Sequence, residues 1–362
     1  MSILKVDELQ SRTSGNRITL PDVNNYPPYR NLIINGDMSI AQRGTSTASI
    51  TGSGYHTIDR YRTGISGTFG TWTQSQSIDV PSGQGFAKSL KMDCTTADAS
   101  PAVASRLVIR QNFEGQMLQS LKKGTSNAES LTLSFWVKSN KTGTYIAHLA
   151  DHDNTRSISK SYTISSSSTW EKKTITFAGD TTGALDNDNA LSMYIDWYLG
   201  AGTNYTSGTL GTSWSSTTDA NIAVGQVNLA DNTANEWYIT GVQLEVGTSA
   251  TPFEHLPTDI SLQRCQRYFQ FMGGVASGFP MMQVYGISGS DMRTPLSFPT
   301  TMRASPTATV NGTWQTLNTA NPTFDFLSPE GCCMRLDVSG GSGQTYAHPN
   351  STDDYVTFDS EL

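Results

Sequence analysis

The sequence predicts an all-β protein, and three observations carry that expectation. Glycine occurs 32 times among many Ser, Thr and Asn residues, so turn-forming positions punctuate the whole chain. Apolar and polar residues alternate over short runs, which is the period of a half-buried strand. One stretch stands apart: in "SLQRCQRYFQFM", residues 261–272, the apolar residues Leu262, Cys265, Phe269 and Met272 are spaced three, four and three apart, the seam spacing of a coiled coil, and a short helix is expected there.

Residues 1–30 form a leader. Its two short alternating runs, Ile3 to Leu9 and Arg17 to Leu20, flank the turn residues Ser14, Gly15 and Asn16 and suggest a small strand-turn-strand. An isolated hairpin is marginal, so this piece must pack on a sister copy or a larger assembly. "NYPPYR" at 25–30 then reads as a stiff extended linker, because Pro27 and Pro28 fix their own φ and restrict the residues before them.

Residues 31–257 carry repeated strand patterns. "SLTLSFWVKS" sets Leu131, Leu133, Phe135 and Val137 on one face, and "KKTITFAG" does the same with Ile175 and Phe177. "ALSMYIDWYLG" aligns Leu191, Met193, Ile195 and Trp197, whereas "EWYITGVQLEV" aligns Trp237, Ile239 and Leu244 only if a bulge at Gly241 shifts the register. Inward apolar residues alternating with outward polar ones suit a two-sheet sandwich, and one jelly roll accounts for the length. The helix occupies 258–275, with Thr258 as its N-cap and Gly273-Gly274 as its stop. After it, "MMQVYGISG", "TATVNGTW", "PTFDFLS", "CMRLDV" and "DYVTF" predict a small β domain over 276–362, a size at which one core barely suffices and self-association helps.

The bulk numbers exclude several functions. Lys+Arg 24 against Asp+Glu 31 gives a formal charge of −7, and no basic run appears, so nucleic acid is a poor partner. No stretch approaches the roughly 18 apolar residues of a membrane span, so no membrane insertion is expected. "MSILKVDELQ" lacks a signal-peptide pattern, which points to synthesis and folding in a cytosol. Cys94, Cys265, Cys332 and Cys333 show no zinc-type spacing and read as free, mostly buried thiols.

The block 31–270 resembles the carbohydrate-binding-module-like jelly rolls of tailed-bacteriophage tail fibres and receptor-binding proteins. The matching segments, in the family's order, are "NLIINGDMSIAQRGTS", "GYHTIDRY", "LTLSFWVKSNKTGTY", "TWEKKTITFAGDTTG", "DWYLGAGTNYTSGTLGTSW", "WYITGVQLEVGTSATPFEHLP" and "CQRYFQ". The leader resembles the virion-docking segments of such fibres. The resemblance implies a non-enzymatic homotrimer, made in the host cytoplasm and located in the virion tail fibre. Residues 1–30 would hold a virion tail or adaptor protein, and the distal β domains would meet host surface glycan. Three helices would then meet at Leu262, Cys265, Phe269 and Met272; the alternative is that the helix lies across its own jelly roll. Modules of this kind often hold a structural calcium, and Asn35, Asp37 and Glu245 are the matching candidates here. Thr240 and Gly241 replace the family's acidic pair, which weakens the ligand set, and no other cofactor is implied. The plain reading of Asn35 and Asp37 is that they cap a turn.

Glycan recognition needs an aromatic face beside planar polar groups. The loop candidates are Tyr55, Trp72, Tyr205 and Trp214, with His56 beside Tyr55, and ordinary packing is the competing reading for each. Trp136, Trp170 and Trp237 fall in strand patterns and read as core, while Trp314, Tyr346 and Tyr355 belong to the small domain. "HLADHDN" offers His148, Asp151, His152 and Asp153, but no helix aligns them as metal ligands and a solvated loop is expected. Asp186, Asp188 and Asp196 supply the alternative of a tailspike-like glycan depolymerase, since paired carboxylates cleave glycosidic bonds. A structural adaptor or head fibre is a third reading.

Overall fold

A computed structural model describes residues 28–274, 282–286, 289–339 and 341–362. Most of the expected leader, residues 1–27, lies outside the described residues.

The alternating runs form strands. One sheet has six, in the order Ser46–Ile50, Thr71–Ser77, Ser89–Thr96, Glu236–Val246, Leu131–Ser139, Glu171–Phe177. The other has seven, in the order Ser215–Ser216, Arg156–Ile164, Gly143–Asp151, Leu191–Ala201, Arg106–Glu114, Arg62–Ser66, Gly54–Tyr55. Every pairing in the two sheets is antiparallel. Leu131, Leu133, Phe135 and Val137 from the first sheet and Ile195, Trp197, Leu107 and Ile109 from the second join one contiguous core, as a β-sandwich of the jelly-roll class requires. Leu191 falls short of that core, because a bulge follows it and puts Met193 in its place.

The bulge in the strand Glu236–Val246 lies where the apolar pattern breaks, between Thr240 and Gln243. Gly241 there has φ +61°, and a Cβ on it would come 2.6 Å from the Phe86 ring, so both backbone and space demand glycine. The extra residue lets Trp237 and Ile239 before it and Val242 and Leu244 after it all reach the core.

The expected helix is shorter than its pattern. It spans Thr258–Gln266, Pro257 rather than Thr258 sits at the cap position with no side-chain capping bond, and Phe269–Gly273 continues as a strand. "FQFM" fits a period of two as well as one of 3.5, and pairing with Tyr355–Asp359 decides between them. The four seam candidates therefore share no helical stripe. Cys265 is buried with Ile34, Ile40 and Tyr268, and Leu262 packs against that cluster. Phe269 lies under the Arg43 guanidinium, 3.6 Å from its ring centroid, and Met272 packs into the small domain's core. The helix lies across its own jelly roll.

Beyond the helix, strands form three sheets of three: Phe269–Gly273, Tyr355–Asp359, Thr307–Asn311; Met282–Gly286, Gly343–His348, Gln315–Leu317; and Asp291–Ser297, Gly331–Asp337, Thr323–Ser328. Cys332, Val356, Phe358 and Met302 fill one apolar cluster, and Trp314, Met334, Leu336 and Ala347 another.

What joins the small domain to the sandwich is polar and buried. Arg60, fully buried and held at φ +73°, pairs with Glu361, donates to the Asn112 carbonyl oxygen at 2.8 Å and lies 3.4 Å from the Tyr268 ring centroid. Arg43 reaches Asp359 at 3.1 Å and Glu361 at 3.4 Å. Asn112 donates to the Leu362 carbonyl oxygen at 2.7 Å, and Arg267 grips the buried Glu114 with two bonds of 2.8 and 2.6 Å. Burial raises the Glu361 carboxyl's pKa, while Arg60 and Arg43 pull it back down.

Removing one partner of a buried ion pair leaves the other uncompensated, at a cost of about 3–5 kcal/mol. Glu361→Ala is therefore expected to lower the unfolding midpoint steeply and to expose the 267–274 segment to limited proteolysis. Glu361→Leu combined with Arg60→Met is expected to recover much of the loss. A calorimetric trace unchanged by Glu361→Ala would show that the pair does not hold the junction.

Candidate functional site

The junction also forms an open groove. In the sheet of Phe269–Gly273, Tyr355–Asp359 and Thr307–Asn311, Ala308, Val310, Val356 and Phe358 face the core. Alternation leaves the other face outward, where register lines up Phe271, Thr357 and Thr309 in one row and Tyr355 with Asn311 in the next. The segment Gln42–Gly44 of the sandwich walls the opposite side, enclosing a groove of about 410 Å³. Phe271 is 39% exposed, and its ring centroid lies 4.9 Å from that of Tyr355 at an interplanar angle of 38°. Gly274, at φ +68°, makes room for the ring: a Cβ there would come 2.6 Å from Phe271 Cζ. An exposed aromatic face flanked by the Thr309 and Thr357 hydroxyls and the Asn311 amide is chemistry that suits a sugar ring.

The aromatic candidates fare differently. Trp72 is a correction: it is fully buried in the strand Thr71–Ser77, and its indole N–H donates to the Phe69 carbonyl oxygen at 2.7 Å. Tyr55 belongs to the junction, where its hydroxyl donates to the Leu362 carbonyl oxygen at 3.2 Å and burial raises its pKa. Trp214 packs on the sandwich core and donates to the Ala178 carbonyl oxygen at 2.7 Å. Tyr205 is half-buried over the outward face of the seven-stranded sheet, with Arg106 5.1 Å from its ring centroid. Trp237 is core as expected, but Trp136 is only partly buried, outside the core, and Trp170 is half-exposed, bonds Asp79 at 2.9 Å and meets Tyr238 edge-on. Trp314 is buried in the small domain and Tyr346 stacks on His348, so of the three small-domain aromatics only Tyr355 lines the groove. Phe271 was masked in the sequence by its place in an apparent helix; the alternation of Phe269 and Phe271 is the signal that marks it.

The calcium candidates are held by hydrogen bonds within the chain. Asn35 Oδ1 accepts from the Ile40 amide at 2.9 Å while its Nδ2 donates to the Ile40 and Asp59 carbonyl oxygens, and Asp37 accepts from Ser39 at 2.9 Å. Glu245 accepts from the Thr251 amide at 2.8 Å, the Thr251 hydroxyl at 2.7 Å and Gln243 at 2.9 Å, and the cation beside it is the Arg30 guanidinium at 3.7 Å. Among the described residues no three His, Cys, Asp or Glu side chains cluster as a metal site.

"HLADHDN" is not wholly the solvated loop expected: His148 to Asp151 end the strand Gly143–Asp151, and only the residues after it form a turn, where Asp153 accepts from the Asp186 amide at 3.0 Å. Asp151 is buried and pairs with Lys123, whose ammonium also meets Asp180 at 3.1 Å and the Thr182 and Gly183 carbonyl oxygens at 2.9 and 2.8 Å. His152 and Asp153 are exposed. His148 joins a row that crosses five strands of the outward face: Arg62, Arg110, Asp196, His148, Ser159. Asp196 is fully buried and takes two bonds from Arg110 at 2.6 and 2.7 Å, whereas Asp186 and Asp188 sit on an exposed loop.

His148 shares a 2.9 Å hydrogen bond with Ser159, and burial lowers its pKa to about 4. A folded-state value below the unfolded one means that acid favours unfolding: the contribution is lost progressively as pH falls from about 6.5 toward 4 and reaches roughly 3 kcal/mol. His148→Gln should therefore flatten the fall in melting temperature between pH 7 and pH 5. Parallel melting curves for the two proteins across that range would rule the effect out.

No protein-family model matches the sequence, and no curated protein matches it significantly. Solved structures do. The enzymatically active domain of bacteriophage CBA120 tailspike protein 4 is 17% identical over 61% of this chain and 22% of its own, with a TM-score of 0.31; the match thus spans about a fifth of that protein. A xylan-binding domain from Paenibacillus barcinonensis is 10% identical, with 61% and 96% covered and a TM-score of 0.27. A family 11 carbohydrate-binding module of a Clostridium thermocellum cellulosomal cellulase is 11% identical, with 60% and 96% covered and a TM-score of 0.27.

Proposed function

We propose that this chain is a non-catalytic attachment protein that holds a surface glycan in the groove between the sandwich and the small domain. The exposed Phe271 ring set against Tyr355, with hydroxyl and amide groups in the adjoining rows, carries this reading. Together with the likeness of its segments to phage tail fibres, it suggests a receptor-binding protein of a virion tail fibre, docked through residues 1–30. Trimerisation belongs to the same proposal. No residue of the strands Asp291–Ser297, Thr307–Asn311, Gln315–Leu317 or Thr323–Ser328 is fully buried, and Leu317 and Phe326 are exposed. Such a domain gains a closed core from sister copies, and three linked weak sites raise avidity by ~10²–10⁴.

Phe271→Ala and Tyr355→Ala should each weaken binding of host polysaccharide about tenfold in calorimetric titration, with the melting temperature little changed. Equal affinity in wild type and both variants would remove the groove from the function, and new reducing ends after incubation would favour a depolymerase. Light scattering of the full chain should give three times the monomer mass; a monomer at all concentrations would overturn the trimer.

A further inference from the structure

A second cleft, of about 140 Å³, opens on the outward face of the seven-stranded sheet and shares no lining residue with the groove. Its walls follow from register. Arg62, Gly64 and Ser66 alternate on one strand and stand opposite Arg110, Val108 and Arg106 on the next. Three guanidinium groups therefore ring one cleft, and Arg62 and Arg110 are direct cross-strand partners, an arrangement of like charges that costs stability. Asp196 neutralises Arg110 through its two bonds of 2.6 and 2.7 Å. Among the described residues, neither Arg62 nor Arg106 has a carboxylate within 4.0 Å. Asp196 also acts on Arg106 from beyond contact distance, and the other neighbours are uncharged: Arg110 stacks on Tyr194 at 3.6 Å, Arg106 lies over Tyr205, and burial keeps His148 neutral. The floor is bare at Gly64, where a Cβ would come 2.8 Å from Val108 Cγ2 and 3.8 Å from Arg62 Nη1.

We propose that this cleft binds an oxyanion carried on a sugar, the carboxylate or phosphate of an acidic surface polysaccharide, with Arg62 and Arg106 gripping the anion. Arginine forks match planar carboxylate and phosphate oxygens in two-bond geometry. A net excess of two positive groups in a chain of charge −7 concentrates that attraction at one place. The cleft is independent of the Phe271 groove, and either site can fail without the other.

The full chain would be titrated with a glucuronate-containing oligosaccharide, a hexose 1-phosphate, inorganic phosphate and a neutral oligosaccharide, beside Arg62→Gln/Arg106→Gln. Binding of one or both acidic sugars should weaken at least tenfold in the double variant and on raising salt from 50 to 500 mM, while the neutral sugar is unaffected. The acidic sugar that binds identifies carboxylate or phosphate as the natural group. Arg62→Gln relieves repulsion from Arg110, so its melting temperature should hold or rise, which separates lost binding from lost fold. Equal binding of acidic sugars by wild type and double variant, no binding by either, or inorganic phosphate binding as tightly as the sugars would overturn the proposal.

Discussion

The Arg60–Glu361 pair is the constraint on which the arrangement of this molecule turns. A guanidinium with no exposure to water tolerates its position only while oxygens neutralise it, and those come from the sandwich at the Asn112 carbonyl and from the far side of the small domain at the Glu361 carboxylate. The backbone at Arg60 adds to the demand, since a left-handed φ at a residue with a long side chain costs about 1–2 kcal/mol. The sandwich thus presents a socket that residues 359–362 must fill. Filling it brings Tyr268 against Arg60 and Phe269 against Arg43, which in turn places the strand carrying Phe271 beside the Gln42–Gly44 wall. The groove exists because the socket is closed.

Much of the sandwich was legible in the sequence because the apolar side chains that reach its core recur at every second residue along the strands. Leu131, Leu133, Phe135 and Val137 declare their face without help from any partner, and the bulge at Gly241 is visible as a break between Ile239 and Leu244. The end of the helix was not legible. Phe269 and Met272 satisfy two periods at once, and the strand that decides between them lies far along the chain at Tyr355–Asp359. Trp72 misled for a related reason: Gly67 and Gly70 just before it suggest a loop, yet Thr71 and Thr73 bracket a tryptophan pointing straight into the core. Binding surfaces were least legible. The row from Arg62 to Ser159 assembles from five separate segments, and only register brings them into line.

Charge follows one pattern across the sandwich. Carboxylates that look like ligands in the sequence are met by the protein's own cations: Glu245 by Arg30, Asp151 and Asp180 by Lys123, Asp196 by Arg110. Desolvated carboxylates need such partners. Against that background Arg62 and Arg106 are conspicuous, since the same economy of pairing was not extended to them.

The path of the chain through the small domain has a mechanical consequence. It leaves the sandwich along Phe269–Gly273 and returns along Tyr355–Asp359, and these two strands are hydrogen-bonded neighbours. The domain is therefore mounted like a lever on a double hinge pin, with both leaves fastened side by side. Swinging would require shearing the paired strands and drawing Glu361 from its socket together. Such a mount resists torsion, so a load applied at the groove passes into the rigid sandwich rather than being lost in a swivelling joint.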